Sequence, residues 1–172
     1  MNLTIENLAY HEAGHAVVLL AFQFPVEAIT IDREFYTDTP VIAKILSQLP
    51  LLTVEEKRKK VKQKIISIYA GVESEYILLG LDPSHKSIYE RIDEGLAIEL
   101  SLAYKILPEG GIDRPGDETH VEFLNRFRIE ARRILVQNWG VVQALAEELL
   151  TKRTLAGDEV DSIYYRSIVM QK

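Results

Sequence analysis

Polar and apolar positions along the chain fall into segments of helical period separated by short interruptions. Thr4 is placed to cap a first helix with Glu6 in its first turn, and the apolar run Ala16 to Phe22 extends that helix until Pro25 closes it. Ala28 to Arg33 alternates Ile29 and Ile31 with polar neighbours. Val41 to Leu46 is a second short apolar stretch between Pro40 and Pro50, and both segments are strand candidates for a small hairpin or sheet. Thr53 and Glu56 form a capping box that opens a long helix ending near Gly80, and Ser87 with Glu90 repeats the signal. The helix that follows carries Leu96, Leu100, Ala103 and Leu107 at spacings of three and four, and stops at Pro108 and Gly110-Gly111. Thr119 with Glu122 starts another through Val136; a break near Trp139-Gly140 precedes one to about Leu150, and Gly157 to Met170 reads as the last. Five to six helices beside one small hairpin or sheet predict a mainly α fold.

A length of 172 residues suits one domain, residues 1–172, with a core that needs no covalent staple. The absence of cysteine removes disulfides, thiolate metal sites and cysteine nucleophiles, so any metal must use His, Asp or Glu. A net charge of −6 argues against nucleic acid as a partner, because neutralising phosphates requires a concentrated basic surface. The basic cluster Lys57 to Lys64 is interrupted at Val61 and leads into Ile65, Ile66 and Ile68, which reads as the solvated face of an amphipathic helix. No apolar run approaches membrane-spanning length, and the sequence lacks the pattern of a secretory leader, so a cytoplasmic location without membrane attachment is expected.

Chemistry concentrates in the first helix. His11-Glu12-Ala13-Gly14-His15 fits H-E-x-x-H, in which residues four apart stand one turn above each other and both imidazoles reach one metal. Glu12, rotated by about 100° from His11, is near enough to serve a metal-activated water as general base without being a ligand. Surface decoration or core packing is the plainer account of two histidines on a helix. Against it, the motif runs directly into an apolar segment, as a half-buried catalytic zinc site requires. Gly14 lowers helix propensity by about 1 kcal/mol relative to Ala, which points to a close backbone approach there. A catalytic zinc needs a third protein ligand, and spacing leaves His85, His120, Glu73, Glu75, Asp93 and Glu94 all open.

The segment Ala9-Tyr10-His11-Glu12-Ala13-Gly14-His15-Ala16-Val17-Val18 resembles the zinc-site segment of the FtsH-type metalloproteases, specifically their peptidase domain. Pro25 to Ile31 is similar to the family's strand after the first helix, Ala70-Gly71-Val72-Glu73-Ser74-Glu75 to its Gly-Gly-Arg-x-Ala-Glu segment, and Arg153 to Val160 to a near-terminal motif. The resemblance implies an FtsH-peptidase-like fold, one zinc per chain held by His11, His15 and Asp93, and Glu12 as the base. Asp93 carries this role because Ala97 and Leu100 follow it at the family's spacing, although Ile88 to Ile92 replace the small residues that precede the family's ligand. It further implies that Glu75 supports a ligand histidine and that peptide or unfolded protein lies along Ala28, Ile29, Thr30 and Ile31 by main-chain hydrogen bonds. A homo-oligomeric ring of six is the family's assembly. No Gly-x-x-x-x-Gly-Lys motif occurs, so an ATPase would come from a separate partner. The alternative is a non-catalytic module of the same fold that binds metal and peptide or pairs with an ATPase.

Overall fold

The computed structural model describes residues 4–32, 52–81 and 120–170. Among them are five helices and one two-stranded antiparallel sheet, a mainly α architecture as the periodicity predicts. The helices are α1 (Ile5–Ala21), α2 (Val54–Leu78), α3 (His120–Gln137), α4 (Trp139–Lys152) and α5 (Gly157–Met170); the strands are β1 (Ala28–Thr30) and β2 (Thr154–Ala156). The segments 41–46 and 87–107, Thr119 and Asp93 lie outside the described residues.

Helix α1 is the centre of the packing. Thr4 caps it by accepting the Asn7 amide at 3.1 Å. Ala9, Ala13, Ala16, Val17 and Val18 are fully buried on several sides, because α2, α3, α4 and α5 all pack against it. Tyr10 stacks on Trp139 with ring centroids 5.6 Å apart and so ties α1 to the start of α4. The turn from α3 to α4 falls at Asn138, one residue before the expected break, and Gly140 is inside the helix.

Helix α2 begins with the capping box that Thr53 and Glu56 encode, each side chain holding the other's backbone amide. Its end is a Schellman motif. Gly80 takes φ +64°, its amide donates to Ile77 O and the Leu81 amide donates to Tyr76 O at 2.8 Å, with Leu81 packed on Tyr76. The first turns of α2 are solvated, whereas Lys64 to Tyr76 is buried without interruption. That boundary corrects the reading of the basic cluster: Arg58, Lys59 and Lys62 are exposed, but Lys64 is 7% exposed and burial pushes its ammonium down to about 8. The unfolded chain holds that proton to about pH 10.5, so folding is expected to gain stability as pH rises between those values. Denaturant midpoints at pH 7.5 and 10 should show a gain of up to about 3 kcal/mol that Lys64→Met removes.

A glycine lets α1 and α2 cross closely. A methyl group on Gly14 would lie 2.6 Å from Ala70 O and 2.7 Å from the Ser74 side chain, which accounts for the glycine inside α1. Ser74 Oγ donates to Tyr10 O at 2.7 Å across the same crossing. Helix α3 is fastened to α2 by charge: the fully buried Glu73 accepts from Arg128 Nε at 2.9 Å and from Arg132 Nη1 at 3.2 Å, and Arg132 also donates to Leu81 O.

The sheet is long-range rather than a local hairpin. β1 is shorter than the predicted strand and pairs with β2 in the register Ala28–Ala156, Ile29–Leu155, Thr30–Thr154. Ile29, Ile31 and Leu155 point into the core, and Arg153 bonds Asp32 at 2.6 Å at the open end. β2 escaped the sequence reading because three residues between two helices are too few to show a period of two.

Candidate metal centre

The crossing of α1 over α2 brings His11 and His15 together with residues of α2 that run in the opposite direction. His11 Nδ1 is 2.6 Å from Glu75 Oε1, and His15 Nδ1 is 2.6 Å from the backbone oxygen of Ser67. A carbonyl oxygen only accepts, so His15 carries its proton on Nδ1 and donates; the Glu75 carboxylate imposes the same orientation on His11. Both Nε2 atoms then face each other, 3.0 Å apart. In neutral imidazoles of this tautomer both are acceptors, and two acceptors turned toward one point suit a cation between them. Two nitrogens bound to one tetrahedral zinc stand about 3.3 Å apart, so the pair is within a few tenths of an ångström of a metal's bite. The donor set therefore fits zinc.

Glu12, half-buried, sits at the position next to His11 on α1. Glu75 is 4% exposed, so its bond to His11 is sheltered from water. Glu73, open as a ligand in the sequence, is instead engaged by Arg128 and Arg132. Among the described residues no group of three His, Asp or Glu side chains converges as a complete ligand set. Asp93, His85 and Glu94 lie outside those residues, as does the side chain of His120. Ala28, Ile29 and Thr30 form β1 with Ile31 just beyond; the buried Ile29 and Ile31 side chains belong to the core, and the Ile31 amide donates to Arg153 O.

Two parts of this arrangement were not read from the sequence. The Ser67 carbonyl leaves no signature in residue identity, since any residue there supplies one. Gly71 does leave one, as a glycine within a helical pattern. It faces both imidazoles.

No family model matches the chain. Among curated proteins it is similar to the ATP-dependent zinc metalloprotease FtsH 1 of Sorangium cellulosum (strain So ce56), with 26% identity over 183 residues. The match covers 91% of this chain and 29% of that protein, so the chain spans less than a third of the relative's length. This likeness indicates a distant relation to FtsH. Among the described residues no helix is long and apolar enough to cross a membrane.

Proposed function

We propose that this chain is a zinc-dependent metallopeptidase that hydrolyses peptide bonds in peptides or unfolded chains. The observation that carries the reading is the 3.0 Å approach of the two Nε2 atoms, with each Nδ1 held by an acceptor on α2. Metal-binding histidines commonly donate their other nitrogen to a carboxylate or a carbonyl, which fixes the ring and raises its basicity, and both kinds of acceptor are present here. The sequence resemblance and the similarity to a zinc metalloprotease support the same chemistry.

In this reading His11 and His15 hold the zinc, and Asp93 completes the set on the strength of the resemblance alone. Zinc, when bound, supplies a Lewis acid that polarises a carbonyl and makes water a nucleophile near neutral pH. Glu12 takes the proton of the attacking water on its carboxylate and returns it to the departing amine. Glu75 and the Ser67 carbonyl keep the two rings from turning while this happens. The substrate lies extended along Ala28 to Ile31, and ordered proteins reach the site only after a separate ATPase partner has opened them. Assembly into a homo-oligomeric ring belongs to the same proposal.

Metal analysis of the purified protein should find one zinc per chain, and cleavage of a quenched peptide should disappear with a chelator and return with zinc. Asp93→Ala should lose both the zinc and the cleavage. Hydrolysis indifferent to chelation would sink the proposal, and zinc without hydrolysis would favour the non-catalytic module.

A further inference from the structure

A methyl group built on Gly71 would stand 2.5 Å from His11 Nε2 and 2.6 Å from His15 Nε2. Both contacts are far inside van der Waals distance, and they fall on the two atoms that the proposed site offers to zinc. An ion bonded to both nitrogens at about 2.0–2.1 Å would lie within roughly 3.5 Å of that methyl wherever it sits around the pair. A side chain at position 71 thus either takes the ion's place or pushes the nitrogens apart. The imidazoles have little room to yield, because His11 is held at 2.6 Å by Glu75 and His15 at 2.6 Å by the Ser67 carbonyl. Moving either ring breaks the bond that orients it.

Resting on the zinc reading above, we infer that Gly71 is a positioning residue whose missing side chain keeps open the space in which the metal is held. It differs in this from Gly14, whose absent methyl makes room for the backbone of Ala70. The two glycines sit on opposite helices of one crossing. One sets how closely the helices approach; the other sets what fits between them.

The contribution of Gly71 is therefore first of all to ion binding. Alanine raises helix propensity at that position, and the atoms nearest its methyl are the ring ends of His11 and His15.

The test compares zinc affinity, by competition with a chromophoric chelator, in the unsubstituted chain and in Gly71→Ala, together with thermal unfolding of both in excess chelator. The inference expects Gly71→Ala still to fold in chelator, at an unfolding temperature lowered by the displaced histidine bonds, with zinc affinity lowered ~10–100-fold or more. Affinity within threefold of the unsubstituted chain would overturn it. So would a Gly71→Ala protein that fails to fold in chelator, because the glycine would then serve helix packing. If the unsubstituted chain itself binds no zinc, the zinc reading fails first, and the two failures are separated by that one measurement.

Discussion

Glu12→Gln should keep its zinc and lose peptide hydrolysis by a factor of ~10²–10⁴ or more. Glutamine keeps the shape and the acceptor oxygen of the side chain but cannot take a proton at neutral pH. Neither bond that orients the histidines involves residue 12, since they run from His11 to Glu75 and from His15 to Ser67. Metal content and unfolding temperature are therefore expected to stay where they are while turnover falls. Steady-state cleavage of a quenched peptide beside metal analysis of the same preparation decides it. Turnover at the original rate would mean that another group moves the proton, and the assignment of Glu12 would be wrong. Loss of zinc along with turnover would place Glu12 among the groups that hold the metal.

Glu73→Ala should destabilise the fold by about 3–5 kcal/mol, measured by urea unfolding. The reason is that the buried Arg128 loses its bond to a fully buried carboxylate. Arg128 is 4% exposed, with its guanidinium over the Tyr69 ring at 5.9 Å and the Tyr76 ring at 5.5 Å from the centroids. Those rings attract a cation, but each contributes only about 0.5–2 kcal/mol and neither neutralises it. Arg132 is 30% exposed and can turn to water, so the cost falls on Arg128. Replacing both Glu73 and Arg128 with methionine should recover most of the loss, since exchanging a whole buried ion pair for apolar side chains is often neutral. A single substitution that costs less than 1 kcal/mol would show that water reaches the pair.

The parts of the molecule legible in the sequence are those whose cause is local. The Thr53–Glu56 capping box is a four-residue pattern with one structural meaning, and the helix it announces begins where expected. The pairing of His11 with His15 follows from one turn of helix. What escaped has its cause elsewhere in the chain. β2 is a strand because Ala28 to Thr30 lies beside it, and the three residues Thr154 to Ala156 carry no such instruction alone. Lys64 is sheltered because α2 enters the core at that turn, a boundary that the lysine-rich sequence around it conceals. Glu73 illustrates both limits. Its residue type made it a candidate ligand, and only the arrival of Arg128 and Arg132 from 55 and 59 residues away gives it a different task.

The sheet that joins Thr30 to Thr154 has a bearing on how the protein is made. These two residues are 124 positions apart, so β1 waits for that much more chain before its partner exists. At about 5–20 residues per second of synthesis the wait is on the order of ten seconds, during which His11, Glu12 and His15 have already emerged. Helix α1 is apolar on several sides, and the side that faces α4 is left uncovered until α4 arrives. A growing chain thus carries the proposed cutting residues on an element that does not yet have its packing. The two histidines and the α2 groups that hold them are made well before α4 and β2, so the residues of the proposed site emerge ahead of the elements that pack around them.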